Sequence, residues 1–254
     1  MIIMCLILFA YKSHPKYKLV IAANRDEAYD RDTAPAHFWE DAPELLAGRD
    51  LEKMGTWMGV TTSGRFAALT NYRDPGEYTA GKRTRGELVV DFLKGTEEPK
   101  TYLQKIAQQR HAYPGYNLLS GDVEELYYYS NTADKLLKVE PGIHGVSNHL
   151  LDTAWPKVEK GKAGLKKILA EDSLDMADSL FSLLENADPA PDQLLPSTGV
   201  TLEWERLLSP IFIKSEKYGT RSSTVILMND IEIYFTERVF KEGQQTKQEF
   251  FITI

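Results

Sequence analysis

The order of strand-like and helical segments is the feature that most restricts how this chain can fold. Apolar runs at 5–11 and 18–23 read as two strands joined by the polar stretch Lys12-Ser13-His14-Pro15-Lys16. Residues 56–61 and 65–70 form a second strand pair, turned at Ser63-Gly64. Thr84-Arg85-Gly86-Glu87 has capping-box spacing, and Leu88, Val89, Phe92 and Leu93 supply the apolar face of a helix. A second helix is expected over 99–110, strands near 116–120, 124–130 and 135–139, and helices near 157–170 and 175–186. The chain then closes with strands at 211–214 with 222–229, 231–238 and 247–254, while the stretch after Glu27, with Pro35, Pro43 and Gly48, reads as irregular. Helical regions set between groups of antiparallel strands imply two sheets packed together and covered by helices, because both faces of each sheet need burial. No repeat, low-complexity tract or linker divides residues 1–254, which read as one domain.

Charge and composition exclude several function classes. The formal charge is -7 with no basic block, which argues against a general nucleic-acid surface. No apolar run reaches membrane-spanning length. The opening MIIMCLILFAY lacks the basic leading region and small-residue cleavage site of a signal peptide. A single cysteine excludes an intrachain disulfide framework and suits a reducing compartment, so a cytoplasmic location is expected. His14, His37, His111, His144 and His149 form no close ligand pattern, and no metal or other cofactor is expected. Trp39, Trp57, Trp155 and Trp204 are too scattered for an aromatic cage. No GxSxG elbow surrounds Ser147.

The one cysteine, Cys5, follows an internal methionine in Met4-Cys5-Leu6-Ile7-Leu8-Phe9. Translation from Met4, or removal of the leader Met1-Ile2-Ile3-Met4, would make Cys5 the first residue. It would then carry both a thiol and a free α-amine, whose ordinary pKa near ~7.7 makes it a usable base at neutral pH. The competing role is a buried apolar cysteine in the first strand.

Asn24-Arg25-Asp26-Glu27 follows the second apolar run, and a hairpin returns it beside Cys5. Arg25 can lower a thiol pKa or hold a carboxylate through its planar fork, and Asp26 can accept hydrogen bonds from a protonated α-amine. Glu27 can pair with Arg25 or Arg31, or face solvent. Asn71 and Asn148 each close an apolar segment, and their amide groups can donate to an oxyanion without a titrating proton. Capping a turn is the competing role for both. Arg221 precedes the strand 222–229 and can reach the same pocket or pair with an acidic neighbour. Tyr72, Arg73, Arg83 and Arg85 are candidates for recognising an anionic or amphipathic substrate.

Met4-Cys5, Ala22-Ala23-Asn24-Arg25-Asp26-Glu27, Gly55-Thr56-Trp57-Met58-Gly59, Ala68-Leu69-Thr70-Asn71-Tyr72, Arg83-Thr84-Arg85-Gly86-Glu87-Leu88, Tyr116-Asn117-Leu118, Gly145-Val146-Ser147-Asn148, Tyr218-Gly219-Thr220-Arg221 and Phe235-Thr236-Glu237-Arg238 stand in the order found in the NRDE family, which this chain resembles from Met4 to the C-terminus. That family includes the eukaryotic transport-and-Golgi-organisation proteins and is similar to the N-terminal-nucleophile hydrolases. The resemblance implies an α+β fold, a four-layer αββα sandwich of two antiparallel sheets covered by helices. By analogy with cysteine acylases that cleave penicillin V and conjugated bile salts, it implies Cys5 as nucleophile and amine base. Arg25 and Asp26 would be the early supporting pair, although their adjacency departs from the acylase spacing. Asn71 and Asn148 would be the oxyanion and positioning asparagines, and Arg221 the late active-site arginine. The expected activity is acyl transfer from a non-peptide amide of a small molecule. The alternative is a non-catalytic intracellular binding or trafficking protein for haem, acyl-CoA or another lipid-like ligand.

Overall fold

Alternating apolar residues build two antiparallel sheets whose facing surfaces share one core. The computed structural model describes residues 4–171, 175–241 and 243–254, so the leader residues 1–3 lie outside the described residues. Six strands form the first sheet: β1 (Met4–Tyr11), β2 (Leu19–Ala28), β10 (Gly142–Val146), β11 (Tyr218–Met228), β12 (Glu232–Lys241) and β13 (Gln244–Thr253), in spatial order β10-β1-β2-β11-β12-β13. The second sheet runs in chain order through β3 (Thr33–Trp39), β4 (Ala42–Asp50), β5 (Met58–Thr61), β6 (Phe66–Asn71), β7 (Tyr116–Gly121), β8 (Leu126–Ser130) and β9 (Lys135–Lys138).

The period of two assigns each strand residue to a layer. Ile7, Phe9 and Tyr11 of β1 enter the core between the sheets with Phe66, Tyr128 and Phe235. Leu6, Leu8 and Ala10 point the other way, into a core shared with α3 (Pro156–Ala170) and α4 (Met176–Leu184). On the outer face of the second sheet, α1 (Gly86–Lys94) and α2 (Pro99–Ala107) bury Leu88, Phe92, Tyr102 and Leu103 against Leu69, Tyr116 and Leu118. The result is the expected αββα sandwich. No helix among the described residues is long and apolar enough to cross a membrane.

Three local expectations are corrected. Residues 33–50, which read as irregular, form β3 and β4. Pro35 is tolerated because β3 is an edge strand, and the register with β4 shifts between Ala34 and His37 around it. The capping box at Thr84 does not form: Arg85 holds the cap position with no side-chain hydrogen bond, and Glu87 pairs with Arg83 and accepts from Tyr113. Residues 211–214 are not a strand; only Lys214 bridges to Gly219, while Ile211 and Ile213 are buried as packing residues. A short helix, α5 (Leu202–Leu207), precedes this run, its start capped by the Thr201 hydroxyl, which accepts from the Trp204 amide.

The helix α3 approaches β1 closely at Gly161, where an added Cβ would lie 2.5 and 2.6 Å from the two methyl carbons of Leu8. Leu8 is fully buried and has little room to move. Gly161→Ala is therefore expected to destabilise the protein by about 1–2 kcal/mol, overpacking outweighing the gain in helix propensity. That corresponds to a thermal midpoint lower by roughly 2–8 °C. An unchanged or raised midpoint in differential scanning calorimetry would contradict this packing.

Candidate functional site

Antiparallel pairing of β1 with β2 places Cys5 opposite Arg25 and Met4 opposite Asp26. Successive residues of a strand face opposite sides, which separates the polar tetrapeptide into two functions. Arg25 and Glu27 open into a cleft between the sheets, whereas Asn24 and Asp26 lie on the helix-covered side. Asn24 is a structural knot: its Nδ2 donates to the carbonyl oxygens of Leu184 (2.9 Å) and Ile211 (2.8 Å), and its Oδ1 accepts from the Ser223 hydroxyl. Glu27 is 3.5 Å from the Arg25 guanidinium and 3.7 Å from that of Arg31.

Cys5 is 4 % exposed and lines the cleft. Its main-chain N–H donates to Asn148 Oδ1 at 3.3 Å, and its carbonyl accepts from the Ser147 hydroxyl at 2.8 Å. Fully buried Asn148 also donates from Nδ2 to the Asn71 carbonyl at 2.9 Å, while its own carbonyl accepts from the Arg73 amide at 2.8 Å. Asn148 thus ties the start of β1 in one sheet to the end of β6 in the other. Asn71 is 8 % exposed and lines the cleft beside Cys5.

Burial pushes the Cys5 thiol up to about 12, with the Asp26 charge adding to the effect and the Asp26 main-chain N–H and Arg25 opposing it. With its nitrogen in a peptide bond, Cys5 is therefore a neutral thiol at neutral pH. Asp26 Oδ1 accepts from the Thr220 hydroxyl at 2.6 Å. Burial raises the Asp26 carboxyl well above the usual carboxylate range, opposed chiefly by the charge of Lys157.

Arg221 occupies a register shift of β11: Thr220 pairs with Asp26 and Ser222 with Arg25, leaving Arg221 between them. Its guanidinium faces the cleft edge but donates to the carbonyl oxygens of Ala28 (2.7 Å), Tyr29 (3.1 Å) and Arg31 (3.1 Å), holding the turn after β2. Arg73 is likewise committed, in a buried ion pair with Glu205 at 2.7 Å and stacked on Trp155. Cys5, Arg25, Asn71 and Arg221 therefore line one cleft, while Asn148 is buried behind its wall, joined to Cys5 and Asn71 by hydrogen bonds, and Asp26 lies behind the strand.

The cleft encloses about 860 Å³, and arginine and lysine outnumber aspartate and glutamate on its walls by nine to five. This is a local inversion in a chain of net charge -7. Arg85, which enters from the loop before α1, donates to the Gly115 carbonyl at 3.0 Å rather than to a carboxylate, and burial lowers its pKa to about 10. A second cavity of about 730 Å³ lies beyond β11, lined by Phe212, Phe240 and Lys214, but the cysteine is not part of it.

Sequence reasoning missed Lys157. It lies on the buried stripe of α3 with Gly161, Leu165 and Leu169, so a lysine at an apolar position of the helical period was the available signal.

The sequence pattern of the Transport and Golgi organisation 2 family matches residues 4–242. The chain belongs to this family. The Transport and Golgi organization protein 2 homolog of Bos taurus is 34% identical over 267 residues, spanning 97% of this chain and 96% of that protein. The Homo sapiens homolog is 34% identical over 256 residues, 92% of each chain, and the Drosophila melanogaster protein is 27% identical over 264 residues. Among solved structures, the Caenorhabditis elegans ortholog of N-acylethanolamine-hydrolyzing acid amidase matches 88% of this chain and 92% of its own, with a TM-score of 0.48 and 10% identity. A mutant conjugated bile acid hydrolase from Clostridium perfringens matches 100% of this chain and 96% of its own, with a TM-score of 0.42 and 11% identity.

Proposed function

We propose that this family member is an N-terminal cysteine amidohydrolase whose active form begins at Cys5. The observation that carries the reading is the double fixation of Cys5: its sulfur borders the cleft while its nitrogen is held by Asn148 Oδ1 at 3.3 Å. A residue that only packs in a strand does not need a side-chain amide from 143 positions away to orient its nitrogen.

In that form the α-amine takes the thiol proton and the thiolate attacks the amide carbonyl carbon. The carbonyl oxygen becomes an oxyanion for which Asn71, on the cleft wall beside Cys5, is the proposed donor, with Asn148 holding the Cys5 nitrogen and the Asn71 main chain; such a donor stabilises it most in a water-poor site. Breaking the C–N bond passes the proton from the ammonium to the leaving amine and leaves a thioester on Cys5. Water, deprotonated by the same amine, then releases the acid and restores the thiol. Arg25, opposite Cys5 in the hairpin, favours the thiolate.

The competing reading, carriage of haem, acyl-CoA or another lipid-like ligand, uses the same cleft and the same cations. Hydrolysis accounts for the orientation of the Cys5 nitrogen, which carriage does not require. Determining the N-terminus of protein purified from its native source by intact mass tests the reading. A chain beginning at Cys5 supports it, and a chain retaining a peptide bond at Cys5 in its active preparation would contradict it.

The cationic walls suit a substrate with a carboxylate or phosphate away from the scissile bond. Arg85→Met should weaken KM for such an anionic amide about 10-fold, the effect of one desolvated charge-assisted contact. The KM for a neutral amide should stay within about twofold. Equal losses for the two substrates would remove Arg85 from recognition.

A further inference from the structure

On the helix-covered side of the first sheet, two buried polar atoms have no hydrogen-bond partner among the described residues. They are Asp26 Oδ2 and Lys157 Nζ. Lys157 is 3 % exposed and Asp26 fully buried. Orphaned polar atoms at such depth are uncommon, because each forfeits the hydrogen bonds it made with water. They belong to β2 and the first turn of α3, both of which pack on β1, and act on each other through their charges. Asp26 is the register partner of residue 4, the position next to the Cys5 nitrogen.

We propose that Lys157 is a positioning residue for the α-amine of Cys5: its ammonium opposes a second positive charge beside Asp26 and so holds that amine as the free base. The proposal rests on the reading of Cys5 as an N-terminal nucleophile. An α-amine released at Cys5 lies next to the buried Asp26 carboxylate, which by itself would trap it as an ammonium and remove the base that the thiol requires. One more buried cation reverses the balance.

The charged or titratable groups that act on Lys157 are Asp26 on β2, Arg73 after β6, Glu205 on α5, and Cys5 on β1. Arg73 and Glu205 neutralise each other at 2.7 Å, so Asp26 and the amine remain as the partners that matter. Desolvation lowers the Lys157 pKa, with the Asp26 charge acting in the opposite sense, as expected of an ammonium in a site with no hydrogen-bond acceptor of its own.

Because the chain has a single cysteine, [¹⁵N]cysteine labelling reports on the Cys5 nitrogen alone. The protein is expressed from Met4 so that removal of the initiator methionine leaves Cys5 first, and the ¹⁵N shift is followed against pH. The parent amine should titrate below its ordinary value of ~7.7. Lys157→Met should raise the midpoint by about 1–2 pH units, the Coulomb effect of one charge several ångströms away at an effective dielectric near ~20. Lys157→Arg should leave the midpoint close to the parent, and Asp26→Asn should lower it. A merely structural lysine would not shift the two variants in opposite directions. If Lys157→Met fails to fold, Lys157→Gln removes the same charge and decides: a raised midpoint supports the electrostatic balance and an unchanged one overturns it. Equal midpoints in all chains would overturn the proposal. Opposite shifts in a protein that hydrolyses no amide would leave the proposal standing and remove the hydrolase reading.

Discussion

Replacing Cys5 by alanine in the chain that begins at Cys5 is expected to abolish amide turnover, by on the order of 10⁴-fold or more, as loss of a nucleophile does elsewhere. The fold should survive. Cys5 is a small buried residue, its packing is with neighbouring strand atoms, and its hydrogen bonds to Asn148 and Ser147 run through the main chain, which alanine keeps. Far-ultraviolet circular dichroism and the thermal midpoint should match the parent closely, while the steady-state rate falls to background. Full turnover in Cys5→Ala would remove Cys5 from the chemistry. Serine at this position is a weaker test, because a hydroxyl with an adjacent amine can support slow acyl transfer.

The largest effect on stability is expected at the buried pair of Arg73 and Glu205. Their side chains are 3 % and 5 % exposed and meet at 2.7 Å, and Glu205 also accepts from the Thr198 amide at 2.9 Å and hydroxyl at 2.6 Å. Glu205→Ala strands a guanidinium in the interior, at a cost of about 3–5 kcal/mol. The thermal midpoint should drop by roughly 6–20 °C. Removing both charges in Arg73→Met with Glu205→Leu should cost less than the sum of the single changes, since no uncompensated charge remains. Additive losses in such a cycle would mean that the pair acts as two separate packing residues.

The parts of the fold that were legible in the sequence are those with local causes. The hairpin of β1 and β2 follows from two apolar runs around a polar turn, and it brings Cys5 beside Arg25 by register alone. The helical period placed α1, α2, α3 and α4. Strands β3 and β4 were illegible because Pro35 and Pro43 interrupt them; Pro35 is acceptable because β3 is the edge of the second sheet, and Pro43 because it stands at the start of β4, before the pairing with β5 begins at Leu45. The run 211–213 carries the apolar content of a strand but spends it on packing beneath α4, a choice made by tertiary context.

The candidate site divides in the same way. Asn24, Arg25, Asp26 and Glu27 read as one polar cluster, yet the pleat of β2 sends alternate members to opposite faces, and only the assembled layers show what each face meets. Asn148 is 143 residues from its partner Cys5, and Arg73 is 132 from Glu205, so neither contact has a local signature. Arg73 resembled a substrate-binding arginine until its carboxylate partner was visible. Lys157 escaped notice because lysine is the residue least expected to be buried without a partner.

A covalent bond between Cys5 and the acyl group of the substrate is the central step of the proposed reaction. The direct measurement is intact-protein mass spectrometry of the Cys5-first chain, acid-quenched at successive times after mixing with a panel of amides and acyl thioesters bearing an anionic group. The expected result is an adduct of the acyl mass on Cys5 that forms, decays as product accumulates, and is absent from Cys5→Ala. A ligand retained one to one, with no covalent adduct at any time and no product, would contradict hydrolysis and assign the cleft to carriage.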